Sequence, residues 1–343
     1  MNKFIFPSFL LVVLTIFIVS ASFGQQNPRV YRVTGSVMGL RDSSLLYLEY
    51  FRADDSKYVD SVYIVKEKFV FTGELKSEVA YALIRTRDFK NYKFLWLENS
   101  GISFNAENGK FRNAVITGTK TQKEQDELDS LVTVNDNDDE KKKATYISFI
   151  NDHTNSIISA HLLSGYGSTW GRELTASLYE KLSFKIKNTS YGKNISEFIS
   201  LNKDLRVGDK CIDFSQEDAR HRTVRLSDFN GKVVLLEFWG SWCRACRQKN
   251  PELIKIYNEF KDRGFEILGV GAEKSMDAWV KAITADKLPW TNVSDLKGDR
   301  NTAALIYGVS YYPTNFLIDR TGTIIARDIE ADALRKKLNQ ILK

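Results

Sequence analysis

Cys243 and Cys246 stand three apart in the run Glu237-Phe238-Trp239-Gly240-Ser241-Trp242-Cys243-Arg244-Ala245-Cys246, and they are two of the chain's three cysteines. A pair at this spacing can bind a metal, carry a haem or trade a disulfide for two thiols. Haem attachment needs His directly after the second cysteine, where Arg247 stands. A structural zinc site needs two more ligands, and Cys211, His153, His161 and His221 form no second ligand pair. A one-cysteine peroxidase site would carry Pro and Thr or Ser where this chain has Leu236 and Gly240. Thiol–disulfide exchange remains. No metal and no separate cofactor is expected, because the Cys243–Cys246 pair is itself the redox group.

The elements around the pair must deliver it. Lys232 to Trp239 is an apolar run broken by one acid and predicts a buried central strand. From Cys243 to Lys261 the pattern turns helical, with Leu253, Ile256, Tyr257 and Phe260 as the core stripe. Cys243 therefore falls at the first turn of a helix, where unpaired N–H groups and the helix dipole favour an anion. The thiolate is the reactive form of cysteine. Cys243, as the more exposed position, is expected to be the nucleophile, and Cys246, one turn on and more buried, the resolving thiol. Arg244 adds positive charge beside the thiolate and should lower its pKa further. Glu237 is the departure from a plain core: a carboxylate inside an apolar strand is costly to bury unless it is used. Burial should raise its pKa toward the range useful in acid–base catalysis. A structural acid paired with a lysine is the alternative.

The segment from Phe238 to Cys246 resembles the active site of thioredoxins, in particular the secreted bacterial TlpA/ResA-like branch. Pro251, five residues after Cys246, matches the proline that kinks the active-site helix. Gly308 to Asp319, with Tyr311-Tyr312-Pro313-Thr314 at its centre, is similar to the family's cis-proline loop and following strand. Val207-Gly208-Asp209, Asp213-Phe214 and Leu226 to Lys232 are similar to the lead-in of that branch. The resemblance covers residues 205 to 343 and implies a thioredoxin-like α/β domain there. It implies that Glu237 accepts the proton of Cys246, and that Pro313 is cis and packs beside Cys243. It also implies that the backbone of Tyr312 pairs with an extended substrate segment, with Trp239 and Trp242 shielding the disulfide and Trp242 adding apolar contact. Two positions depart from the pattern. Lys249 stands where many members carry Glu, which removes a second acid and makes the site more electropositive. Cys211 and Ile212 replace a small residue and a proline; Cys211 is read as a buried, inert thiol, with a third redox partner as the alternative.

Three further regions precede that domain. Lys3, the apolar stretch Phe4 to Val19 and the small residues up to Gly24 predict an export signal over residues 1–24, cleaved after Gly24. With no cysteine before residue 211, a lipid-anchored terminus is excluded, and no membrane span is expected after signal removal. Residues 28–120 carry short β-rich runs at Val30, Ser44, Lys68, Tyr81, Phe94 and Ile102, which predict an all-β antiparallel sandwich or barrel-like domain. That region is similar to an uncharacterised β-rich domain that often precedes secreted thioredoxin domains. Residues 121–204 predict a helical connecting segment, with helices over Tyr146–Ile150, Ile157–Leu162, Leu174–Leu182 and Ile195–Leu201, and His161 on an apolar face as an interior residue. The mixed-sign run Asn135 to Lys143 reads as a solvated loop or helix start. A net charge of +6 over 343 residues, with no basic stripe interleaved with aromatics, gives no reason to expect nucleic acid. The fold class is thus multi-domain.

The resemblance implies an exported, periplasm-facing thiol–disulfide oxidoreductase. Its partners would be oxidised cysteine-containing exported proteins and a membrane electron donor that recharges it. A disulfide donor or isomerase is the rival among enzymes. A thioredoxin-fold adaptor or sensor, whose β domain binds an envelope partner, is the rival outside them.

Overall fold

The computed structural model describes residues 30–51, 56–134 and 138–342. The predicted export signal lies outside them, as do Asn135 to Asn137 of the charged run. Two compact units are present, divided between Gln122 and Lys123.

The first unit contains β1 (Tyr31–Val37), β2 (Leu45–Phe51), β3 (Lys57–Tyr63), β4 (Lys68–Gly73), β5 (Val79–Thr86), β6 (Tyr92–Glu98), β7 (Gly101–Ala106) and β8 (Val115–Thr117). They form two four-stranded sheets, ordered β4-β1-β7-β8 and β3-β2-β5-β6. Burial alternates along β1 and β5, as a half-buried strand requires. Inner-facing Val33, Phe71 and Phe104 from one sheet share a core with Leu48, Ile84 and Leu95 from the other, so the unit is a sandwich. One expectation needs correction. β1 pairs with β7 in parallel, whereas every other pairing in the unit is antiparallel. Parallel pairing needs a long connection, and the intervening β2 to β6 supply it.

The second unit opens with helices: α1 (Lys120–Thr133, starting in the first unit), α2 (Asp139–Asp152), α3 (Ile157–Trp170), α4 (Arg172–Lys181), α5 (Phe184–Lys187) and α6 (Ser190–Leu201). Asp138 caps α2 through Lys141 N–H, and Ser156 caps α3 through Ile158 N–H at 3.1 Å. His161 packs edge-on to Tyr191, and burial pushes its imidazole pKa down.

The rest of the unit runs β9 (Ser215–Asp218), β10 (Thr223–Arg225), β11 (Val233–Trp239), α7 (Arg244–Phe260), β12 (Phe265–Gly271), α8 (Met276–Asp286), β13 (Thr291–Ser294), α9 (Thr302–Tyr307), β14 (Thr314–Ile318), β15 (Ile324–Arg327) and α10 (Ala331–Ile341). Its seven-stranded sheet is ordered β10-β9-β13-β12-β11-β14-β15. β11 lies between parallel β12 and antiparallel β14, which explains why all seven of its residues are buried. On one face Val233 and Leu235 pack under Leu253, Ile256 and Phe260 of α7 and Leu334 and Leu338 of α10. On the other, Leu236 and Phe238 pack against Ala303 and Tyr307 of α9. This is the thioredoxin-like layer order. No helix among the described residues is long and apolar enough to cross a membrane.

Candidate active site

β11 ends at Trp239, and four residues later Cys243 caps α7. Its Sγ accepts a hydrogen bond from Cys246 N–H at 3.2 Å, so the sulfur occupies the place a capping oxygen would take. Cys243 and Cys246 are joined as a disulfide. Cys243 is the more accessible of the two, but only at 6% against 2%, so both sulfurs are buried. Trp239, from the strand end, and Trp279 and Ala282, from α8, form one apolar cluster with the pair, and the half-buried Tyr312 packs against it. Trp242 is 59% exposed, with its indole N–H donating to the Ala272 carbonyl at 2.9 Å and its ring edge-on to Tyr312. The Tyr312–Pro313 bond is cis. Cys243, Cys246, Trp239, Trp242 and Tyr312 are therefore brought together, with half-buried Pro313 next in the chain. Arg244 is exposed on the first turn of α7.

Glu237 lies on β11 between Leu235 and Trp239, and side chains two apart on a strand share a face. Its carboxyl therefore lies on the α7 side, between the residue that packs on that helix and the residue that packs on the disulfide. It is 5% exposed, and its Oε2 has no hydrogen-bond partner. Burial pushes its pKa up to about 8, opposed by the Asn315 amide and Lys249 and reinforced by Asp328 and Glu330. Asn315 sits directly across from it in β14 and is held by Ile329 N–H at 2.9 Å. Lys249 makes its ion pair with Glu330, at 2.9 Å, and among the described residues none forms a salt bridge with Glu237.

Cys211 belongs elsewhere. It is half-buried, not fully buried as expected: it packs at the margin of the α9-side core, its N–H donates to the Gly322 carbonyl at 2.8 Å, and partial burial pushes its thiol pKa up. That disfavours a thiolate.

Three features of the site escape sequence reasoning. Glu273, just past β12, is buried and accepts from both the N–H and the hydroxyl of Ser241. Trp279 is fully buried beside the disulfide with its indole N–H unpartnered, and a Cβ at Gly271 would come within 2.8 Å of that nitrogen. Arg247 grips Asp286 with two hydrogen bonds, at 2.9 and 2.6 Å, and Asn250 adds a third at 2.8 Å. The one available signal is positional: ligand and catalytic groups of open α/β sheets gather at the carboxyl ends of strands, where Glu273 stands. No group of three or more His, Cys, Asp or Glu side chains that could hold a metal occurs among the described residues.

Residues 207–327 match the AhpC/TSA family, and residues 31–125 match a domain of unknown function (DUF4369). The chain is similar to the thiol-disulfide oxidoreductase ResA of Bacillus cereus, with 30% identity over 146 residues, covering 43% of this chain and 82% of that protein. It is 33% identical over 143 residues to ResA of Geobacillus kaustophilus, covering 39% of this chain and 80% of that one. Among solved structures, the thioredoxin domain of a thiol-disulfide oxidoreductase from Bacteroides vulgatus shares 34% identity, covers 40% of this chain and 99% of its own, and gives a TM-score of 0.39.

Proposed function

The chain belongs to the ResA-like thiol-disulfide oxidoreductases of thioredoxin fold, and on that premise we propose that it is exported and reduces disulfides of cell-envelope proteins through Cys243 and Cys246. In the reduced protein the Cys243 thiolate attacks one sulfur of a substrate disulfide. A Cys243–substrate bond forms, the substrate bond breaks, and the other substrate sulfur leaves as a thiolate. Glu237 takes the proton of Cys246, whose thiolate then attacks Cys243 Sγ. The intramolecular disulfide closes and the second substrate sulfur leaves. Two electrons pass to the substrate, and a membrane electron donor restores the dithiol. Trp242, Tyr312 and Pro313 line the docking edge, where an extended segment binds through main-chain hydrogen bonds with little demand on its sequence.

The observation that supports this reading most is the Cys246 N–H donating to Cys243 Sγ at the start of α7. That donor, with the helix dipole, stabilises a thiolate at the position that must attack. The test is the reduction potential of the pair, followed by tryptophan fluorescence in defined thiol buffers. A value of about −270 to −200 mV is expected for a reductant, and one near about −120 mV would reassign the protein as a disulfide donor.

A further inference from the structure

The two residues that follow β12 hold the whole loop that precedes Cys243. Ala272 N–H donates to the Trp239 carbonyl at 2.8 Å, and the Ala272 carbonyl accepts the Trp242 indole N–H at 2.9 Å. Between them, Glu273 takes both polar groups of Ser241: its Oε1 accepts the backbone N–H, and its Oε2 accepts the hydroxyl at 2.9 Å. Glu273 is only 2% exposed, and its own carbonyl is anchored by Gly298 N–H at 2.8 Å. A carboxylate is expensive to bury, and a β-strand end needs none for its own pairing. Both oxygens are instead used on one residue, two positions before the nucleophile. Cys243 N–H bonds the Gly240 carbonyl at 3.0 Å, so the loop and the helix cap form one connected piece.

We propose that Glu273 is a positioning residue for thiol–disulfide exchange: by chelating Ser241 it fixes the Gly240–Trp242 loop and so holds Cys243 Sγ in the capping position of α7. Without that grip the loop is free to rotate, and the sulfur drifts from the Cys246 N–H that stabilises its thiolate. The role is geometric. A glutamine can reproduce it, accepting the Ser241 N–H with its carbonyl and donating to the hydroxyl with its amide.

The inference rests on Cys243 being the reactive thiol, so the first readout does not depend on substrate turnover. In the full mature chain, reduced with dithiothreitol and freed of it, the rate of Cys243 alkylation by iodoacetamide is measured at pH 7, with Cys211 and Cys246 replaced by Ser. Glu273→Ala is expected to slow alkylation about tenfold, the change in thiolate fraction that goes with a one-unit rise in thiol pKa. Glu273→Gln is expected to recover most of the loss. Insulin reduction by the same variants in the Cys246-containing chain should follow the same order. If Glu273→Ala folds and alkylates at the wild-type rate, the proposal is overturned. Equal slowing in the Ala and Gln variants would also overturn it, because charge and not geometry would then be at work. Should Glu273→Ala fail to fold, Ser241→Ala, which removes only the hydroxyl bond, decides the matter: slower alkylation supports the proposal and an unchanged rate rejects it. A wild-type chain that alkylates quickly but reduces no insulin would instead count against the proposed function and leave the positioning role standing.

Discussion

The buried carboxyl of Glu237, with one oxygen lacking a partner, ties both stability and rate to pH. Its pKa rises from an ordinary 4.5 to about 8 in the folded protein. Between those values the folded chain holds a proton that the unfolded chain has lost. The stability this contributes is fully present below the unfolded value and is lost as pH rises through the folded one, with a slope of at most about 1.4 kcal/mol per pH unit. Glu237→Gln stays neutral throughout, so urea unfolding of the oxidised variant from about pH 5 to about pH 9 should lack this downward slope. A slope equal to that of the parent would mean that Glu237 is not the titrating group. In the proposed mechanism the same proton governs turnover. As base for Cys246, Glu237 works only when ionised, so the resolving step should accelerate up to about pH 8 and then level off. The Gln variant should lose that rise, slow resolution by about a hundredfold or more, and accumulate the Cys243–substrate mixed disulfide in acid-quenched samples. Trapping no more mixed disulfide than the parent would remove Glu237 from the mechanism.

Between elements, the grip of Arg247 and Asn250 on Asp286 joins α7 to the last turn of α8, the helix that lays Trp279 and Ala282 over the disulfide. The Arg247 guanidinium beside Asp286 holds its carboxyl below the usual range. Because Arg247 is partly exposed, a double-mutant cycle of Arg247→Met and Asp286→Asn should return a coupling of about 1 kcal/mol, not several. Loosening α8 should also make Cys246 of the reduced protein easier to alkylate; a coupling near zero with unchanged alkylation would show that α8 is held by its apolar contacts alone. This element was half legible in advance. The apolar run of β11, the cysteine pair at the helix start and the Leu253, Ile256, Phe260 stripe declare strand, turn and helix locally, and Tyr311-Tyr312-Pro313 declares the opposing loop. The Arg247–Asp286 pair and the Ser241–Glu273 chelate join residues more than thirty positions apart, and no local period encodes them. For a similar reason β3 is not read as a strand. Lys57 to Tyr63 alternates between half-buried and exposed, as an edge strand does, and offers no fully buried face. α1 escapes because Lys, Gln, Glu and Asp fill most of its turns and Leu128 alone among its later residues is buried.

At the scale of the whole molecule, the first unit closes its own core between two sheets, whereas residues 123–204 belong to the same compact unit as the thioredoxin-like fold. The ties are specific and converge on α9 and the turn just before it. Arg300 pairs with Glu197 of α6 at 2.8 Å, Asn202 donates to the Leu305 carbonyl at 3.2 Å, and Lys203 N–H donates to the Ile306 carbonyl at 3.1 Å. Gly308, at φ +63, ends α9, and a Cβ there would stand 2.7 Å from the Asn202 amide. Four and five residues further on lie Tyr312 and Pro313, so the helical segment supports the loop that faces the disulfide. A chain starting at residue 123 should therefore melt as one transition and reduce insulin like the full chain. A chain starting at residue 205 loses those bonds and the Leu201 packing on the α9-side core. Each kcal/mol lost should lower its Tm by about 2–4 °C. Its KM for insulin should rise more than its kcat falls, because the docking loop is loosened while Cys243, Cys246 and Glu237 stay on β11 and α7. Equal Tm and equal KM for the two chains would make residues 123–204 a passive connector. A single substitution in the full chain separates the cases without truncation. Because Ala in place of Gly308, at φ +63, is strained in any case, the cleaner variant is Asn202→Ala, which removes the bond to Leu305: it should reproduce the KM effect if the helical segment acts through Asn202, and leave KM alone if only bulk burial matters.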